Sequence, residues 1–422
     1  MTTHPLSKEK QAVFDRFSAH VSSGKAAFFL DAGIPFVFGR REGPYIWDID
    51  GEKRLIDCHC NGGVYNLGHR HPEIIAALLE SAGRVDIGNH HFVSREKAEL
   101  AEALAGVSPD PLDCVVFGVS GGEAVDTAIK IARKATGRKG VVSASGGYHG
   151  HTGLALAAGD PKFKAPFLSA SPDFTQVPFN DADALAGAMD NRVAAVILET
   201  IPATLGMPMP HEDYFQAVKQ HCEANGSLLI QDEVQTGLGR TGRFWGVGHY
   251  GTVPDMIVSA KGLGGGIYPI TATIIRKDLE SVFHDDPFIH VSTTGGADIG
   301  CAVARKVVDI SASPAFLEHV DHLAGLFARG MAGIASAFPD LFAGFRQTGL
   351  MCGIQTTHTD FGPLMTKACY EAGLLCIYAG NDTSVVQFLP PLITETKTAG
   401  EILSRLHDAF SMAREWIHGK TG

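Results

Sequence analysis

The fold class this sequence predicts is α/β: a large domain built on a mostly parallel, doubly wound sheet, with a smaller α+β domain beside it. Three observations lead there. The short runs Val193 to Leu198, Leu228 to Ile230 and Met256 to Val258 are unbroken in hydrophobicity, as strands buried on both faces are. Between the first two, Tyr214 to Asn225 has helical periodicity and the length of a crossover helix. Beyond residue 315 the alternation gives way to helix, strand, strand and helix, starting with Phe316 to Ala337 and Gly349 to Gln355.

The division expected from this pattern is an N-terminal segment, 1–65, contributing to the small domain, a large domain over 66–312, and a C-terminal small domain over 313–422. No repeat, low-complexity tract or Pro/Ser linker marks these limits, so they rest on the element pattern alone. Of the 422 residues, 45% are apolar and 19% charged, which suits an ordered globular chain with a large core. The net charge of −11 is scattered and no basic stripe appears, so nucleic acid is not an expected partner.

The opening, MTTHPLSKEKQAVF, is polar and lacks the basic-then-apolar order of a signal peptide. No apolar stretch approaches the roughly 20 residues that span a bilayer, so no membrane association and a cytoplasmic location are expected. Eight cysteines lie scattered without a disulfide framework. Cys58-His59-Cys60 lacks a second ligand pair at zinc spacing, and neighbours such as His69-Arg70-His71 or His90-His91 are not expected to face one another on a strand or helix. No metal is expected.

In doubly wound sheets ligands gather beyond the carboxyl ends of the strands, which directs attention to the residues closing each apolar run. Glu199, Asp232 and Lys261 stand there. A carboxylate at the end of a buried strand is costly unless it meets a cation, so Asp232 suits a protonated ring nitrogen; as a lone acid it would more simply cap a helix or pair with an arginine. Lys261, next to Gly262-Leu263-Gly264-Gly265-Gly266, can be partly desolvated and so form an imine, although an isolated lysine is more often a solvated surface group. Earlier in the chain, Cys114 to Val119 runs into Ser120-Gly121-Gly122-Glu123 and the helical stretch Ala124 to Lys134. A glycine turn feeding a helix N-terminus offers free N–H groups to a phosphate, or is simply a strand-to-helix turn.

Together these pieces resemble the class III aminotransferases of the ornithine, acetylornithine and ω-amino acid type. The resemblance is carried by Tyr45-Ile46-Trp47-Asp48-Ile49-Asp50-Gly51, Asn66-Leu67-Gly68-His69-Arg70-His71-Pro72, Ser120-Gly121-Gly122-Glu123-Ala124, Tyr148-His149-Gly150, Asp232-Glu233-Val234-Gln235-Thr236-Gly237, Ala260-Lys261-Gly262 and Ser292-Thr293-Thr294-Gly295-Gly296, in the family's order. It implies fold type I of the pyridoxal 5'-phosphate enzymes, with catalytic Lys261 bearing the cofactor as a Schiff base and catalytic Asp232 paired with its ring nitrogen. It further implies that Ser120, Gly121 and Gly122 hold the phosphate, that Tyr148 and Val234 lie on the two ring faces, and that Gln235 stands near the phenolic oxygen. Thr293 would reach the phosphate of the neighbouring subunit, which requires a homodimer with its sites at the interface.

The substrate residues depart from the family. Where an arginine commonly follows the aromatic-His-Gly motif the chain has His151, and where another precedes Pro390-Pro391-Leu392 it has Gln387. Glu199, which ordinarily meets that second arginine, is then free for a substrate ammonium or a network including Gln387. The expected reaction moves an amino group from an amine or amino acid to a 2-oxo acid. Tyr148-His149-Gly150-His151 also resembles relatives that eliminate ammonia or phosphate from phospho- or phosphono-amines, or move an amino group within one molecule, and those readings stay open.

Overall fold

The structure is a computed structural model, and it describes residues 6–419; the polar opening residues 1–5 lie outside the described residues. Three sheets organise the chain. The first begins with β1 (Phe38–Glu42), β2 (Tyr45–Asp48) and β3 (Arg54–Asp57). The large sheet contains β4 (Leu112–Gly118), β5 (Gly140–Ala144), β6 (Phe174–Val177), β7 (Val193–Glu199), β8 (Leu228–Asp232), β9 (Met256–Ser259) and β10 (Thr271–Arg276), in the order β4-β10-β9-β8-β7-β5-β6. β5 to β9 run parallel, and β10 alone is reversed, between β9 and β4.

The central strands form where the sequence is continuously apolar because both faces are covered. Every residue of β7, β8 and β9 is buried. On one face lies the helix Gly121–Thr136, whose Ala124, Val125, Ala128, Ile129, Ile131 and Ala132 pack against Ala195, Ile197, Ile230 and Val258. Burying each branched side chain contributes roughly 1.5–3 kcal/mol, so this face is a main support of the domain. Ser120 caps the helix, its Oγ accepting from Glu123 N–H, and Gly137 ends it in the left-handed conformation at φ 68°. Tyr214–Asn225 packs on the other face through Tyr214, Phe215, Val218 and Cys222.

The C-terminal part adds β11 (Phe342–Thr348), β12 (Met351–Thr356), β13 (Leu374–Leu375), β14 (Ile377–Tyr378) and β15 (Val385–Phe388). β11, β12, β15 and β14 make an antiparallel sheet behind the helices Pro314–Ala337 and Thr396–His418, around Phe327, Phe338, Phe388 and Phe410. β13 pairs in parallel with β3, so the first strands and the last hundred residues share one sheet. β3 ends at Asp57, and Cys58 to Cys60 does not continue it as strand but leaves the sheet into a turn.

Candidate active site

Parallel register places the chemistry. Glu199 and Asp232 close β7 and β8 as direct partners, and Asp232 is in turn opposite Val258 of β9, two residues short of the Ala260-Lys261 step. The three ionisable groups thus converge on one cavity of about 590 Å³ above the strand ends. Ser120, Gly121, Gly122, Tyr148, His151, Glu199, Asp232, Val234, Gln235 and Lys261 all line it. Two expected residues do not. Thr293 is exposed in the loop before the helix Asp298–Ser311. Gln387, buried on β15 opposite Gly353 and Ile377, makes no hydrogen bond to Glu199 among the described residues.

Lys261 Nζ donates to Gln235 Oε1 at 2.8 Å. Enclosure lowers its pKa, with Asp232 and Glu199 pulling the other way, so the amine is more readily neutral than a solvated lysine. Its backbone is left-handed at φ 47°, as are Cys60 at 51° and Asn61 at 48° in the neighbouring turn Cys60–Gly63. Such residues store about 1–3 kcal/mol each, held by the surrounding structure. Gly62 in that turn lies against the amine: a Cβ there would stand 3.4 Å from Lys261 Nζ.

Asp232 is held from two sides. His149 Nδ1–H donates to Oδ2 at 2.8 Å, and Val234 N–H donates to Oδ1 at 3.1 Å. Burial acts to lower the His149 pKa, but the bond and charge of Asp232 and the charge of Glu199 outweigh it and hold the ring above its ordinary value. Sequence reasoning does not single out His149 as a site residue; its place in the Tyr-His-Gly motif is the one hint, because its partner is 83 positions away. Thr152, Ile201 and Tyr268 also line the cavity without a sequence signal.

Glu199 Oε1 accepts from Tyr148 N–H at 2.8 Å. No lysine, arginine or histidine pairs with it among the described residues, and no arginine lines the cavity. Burial pushes the Glu199 carboxyl up to about 7, His149 pulling it back and Asp232 raising it further. Tyr148, His151 and Phe163 form a mutually edge-on trio, with ring centroids 5.3, 5.6 and 5.5 Å apart. His90 and His91, not expected to face each other, have rings 4.0 Å apart. No group of three or more metal-ligating side chains occurs among the described residues, and no helix there is long and apolar enough to cross a membrane.

The cavity fits a phosphorylated pyridine cofactor. The helix N-terminus at Gly121-Gly122 opens into it; a Cβ on Gly121 would touch Val234 and Ala260, and one on Gly122 would stand 2.6 Å from Thr152 Oγ1, so backbone rather than side chain faces the space. Gln235 Nε2, beside the lysine, is a buried donor without a partner, suited to an oxygen of the ligand. A carboxylate, an enclosed amine and a helix N-terminus therefore meet in one cavity.

Comparison with known proteins agrees. The profile of the family Aminotransferase class-III matches residues 31–410. An uncharacterized aminotransferase of Archaeoglobus fulgidus is 52% identical over 406 residues, covering 96% of this chain and 95% of the relative. A putrescine aminotransferase of Pectobacterium atrosepticum is 32% identical over 416 residues, 94% of this chain and 88% of its own. Among solved structures, the ornithine aminotransferase of Toxoplasma gondii superposes with a TM-score of 0.89 at 26% identity, over 97% of this chain and 96% of that one. With the family's profile matching nearly the whole length, and a lysine, an acid and a glycine turn at a helix N-terminus in one cavity, the chain belongs to the class III aminotransferases, enzymes that depend on pyridoxal 5'-phosphate.

Proposed function

We propose that the enzyme draws its amino group from an amine carrying a second positive charge, a diamine being the simplest case, and passes it to a 2-oxo acid. The observation that carries this reading is Glu199: an unpaired carboxylate in a cavity that no arginine lines, where relatives binding amino acid carboxylates would need a cation. The resemblance to a putrescine aminotransferase supports the same class of donor. A phosphorylated or phosphonate amine is disfavoured, since of the basic side chains in the lining His149 is engaged by Asp232 and Lys261 is assigned to the cofactor, which leaves His151 alone to meet a dianion.

In this reading Lys261 attaches the cofactor, Ser120 with the Gly121 and Gly122 backbone holds its phosphate, Tyr148 and Val234 enclose the ring, and Gln235 meets the phenolic oxygen. When bound, the cofactor supplies an electron sink that lets the C–H bond beside the donor nitrogen ionise. Asp232, fixed by His149, balances the positive charge on the ring nitrogen. The Lys261 amine, kept readily neutral by enclosure, would take the proton from the donor carbon and deliver it to the cofactor carbon, and would carry a proton the opposite way in the second half-reaction, to the carbon of the 2-oxo acid. Glu199 and His151 lie along the wall where the far end of the donor would rest.

The same reading has Thr293 completing the phosphate site of a second copy. Exposed apolar residues surround that loop: Phe288, Ile289 and Val291, with Phe92 and Val93 joined to them through the His91–Phe288 ring contact. A patch of this kind suits a self-complementary homodimer contact. We assign 66–312 to the large domain and 1–65 with 313–422 to the small one, and a cytoplasmic location, supported by eight cysteines that form no disulfide.

The test is to mix the yellow enzyme, without any 2-oxo acid, with diamines, monoamines, amino acids and phospho-amines while following the cofactor spectrum, released ammonia and released phosphate. Stoichiometric bleaching by diamines, with colour restored by pyruvate or 2-oxoglutarate, is expected. Continuous ammonia or phosphate release with colour retained would replace this reading by a lyase.

A further inference from the structure

Arg240 is fully buried, yet no carboxylate is bonded to it among the described residues. Its Nη1 donates to the backbone carbonyls of Leu350 at 3.1 Å and Pro390 at 2.6 Å, and its Nη2 donates to Asn66 Oδ1 at 2.6 Å. Leu350 sits in the turn between β11 and β12, and Pro390 follows β15, so both carbonyls flank strands of the C-terminal sheet. Backbone bonds run along the same line: Leu350 N–H donates to Arg240 O at 2.9 Å, and Leu392 N–H donates to Asn66 O at 2.8 Å.

Asn66 also lies against two glycines close to Lys261. Its Nδ2 stands 3.1 Å from where a Cβ on Gly262 would be, and its Oδ1 stands 3.4 Å from the corresponding point on Gly63. Gly262 follows Lys261, and Gly63 closes the left-handed turn whose Gly62 rests on the Lys261 amine. A buried guanidinium met only by neutral acceptors is a costly way to join two lobes; apolar packing would join them more favourably. What a guanidinium offers instead is a rigid planar fork that fixes several acceptors at once.

We propose that Arg240 is a positioning residue: directly at Cys60 and through Asn66 it holds the Cys60–Gly63 turn and Gly262 against the Lys261 amine, and it ties that fit to the placement of the C-terminal sheet. The proposal rests on Lys261 being the cofactor-bearing residue. Arg240 touches neither cofactor nor substrate in this scheme; it is absent from the cavity lining.

The experiment compares cofactor-loaded wild type with Arg240→Lys, Arg240→Met and Asn66→Ala, reading the pH at which the visible cofactor band titrates, together with kcat and KM. Arg240→Met and Asn66→Ala are expected to move that midpoint in the same direction by about half a pH unit or more, and to lower kcat about tenfold while the KM of the 2-oxo acid changes less than about threefold. Arg240→Lys, which keeps the charge but not the fork, should fall between them and wild type. If Arg240→Met does not fold, Asn66→Ala decides, because it leaves both backbone contacts of the arginine in place. An unmoved midpoint and unchanged kcat in the folded variants, even with a lower melting temperature, would reduce Arg240 to a structural tie and overturn the proposal. Failure of the underlying reading looks different: Lys261→Ala would then keep the visible band of the wild type.

Discussion

Replacing Glu199 by Gln tests the substrate reading most directly, because the amide keeps the shape and the oxygen that accepts from Tyr148 N–H while removing the charge. A charge-assisted contact between a substrate ammonium and a carboxylate as enclosed as this one contributes about 1.5–3 kcal/mol net. That corresponds to about 10- to 150-fold in kcat/KM, lost for a diamine and not for a monoamine of equal length. Taking the ratio of the two substrates removes effects common to both, including any on Lys261 or the cofactor. The ratio also has a pH signature. The Glu199 carboxyl is pushed up to about 7, so below that pH it is neutral and attracts no ammonium, and above it the attraction is present. Since kcat/KM reports groups of the free enzyme, the preference for the diamine should rise with pH through about 7 in wild type and stay flat in the Gln variant. The assay is initial rate with each amine and a fixed 2-oxo acid from about pH 6 to about 9, the span that brackets that value. A diamine-to-monoamine ratio that Glu199→Gln changes by less than about threefold at about pH 8 would refute the assignment.

Three further outcomes follow from the same geometry. Gly122→Ala should weaken cofactor retention more than about tenfold and Gly121→Ala much less, since a Cβ meets Thr152 Oγ1 at 2.6 Å in the first case and nothing nearer than 3.6 Å in the second; spectroscopic titration of the stripped enzyme with cofactor ranks them, and the opposite order would contradict the cradle. His149→Gln should destabilise the chain by about 1–3 kcal/mol near pH 6 by weakening its bond to buried Asp232. Because the folded pKa of His149 is raised, its contribution is full below the unfolded value of about 6.5 and is lost as pH rises through the folded value, so the difference in urea midpoint from wild type should shrink at alkaline pH. Thr293→Ala should lower cofactor affinity several-fold without altering the Lys261 site of its own chain; in mixed dimers with Lys261→Ala the two defects should fall in one and the same site, leaving the other intact, whereas two impaired sites would count against the exchange between subunits.

Glu199, Asp232 and Lys261 are legible in the amino-acid sequence because strand ends in a doubly wound sheet are marked by where an apolar run stops, and each of the three stands at such a stop. The glycine turn proposed to hold phosphate is legible for a related reason: a strand, two glycines and an amphipathic helix occur within one short stretch, so the backbone geometry follows from local chemistry. Partnerships across distance are not written locally. His149 on Asp232 spans 83 positions and Arg240 on Asn66 spans 174, and apart from the Tyr-His-Gly motif around His149 neither residue carries a local pattern that differs from an ordinary core histidine or surface arginine. Gln387 shows the converse: its position before Pro390-Pro391-Leu392 suggests a substrate contact, but the register of β15 places it among its neighbours in the C-terminal sheet and outside the cavity lining.

By itself, then, the sequence determined the alternation of strands and helices, the acids and the lysine that follow the buried strands, and the absence of arginine at positions 151 and 387, since burial, turn chemistry and charge are written residue by residue. Tertiary structure alone decided which groups share a dielectric environment. Glu199 was already a candidate for a substrate ammonium in the sequence, but its raised pKa came only when packing enclosed it with no lysine, arginine or histidine bonded to it among the described residues, because the energy of a charge depends on everything folded around it and not on its neighbours in the chain.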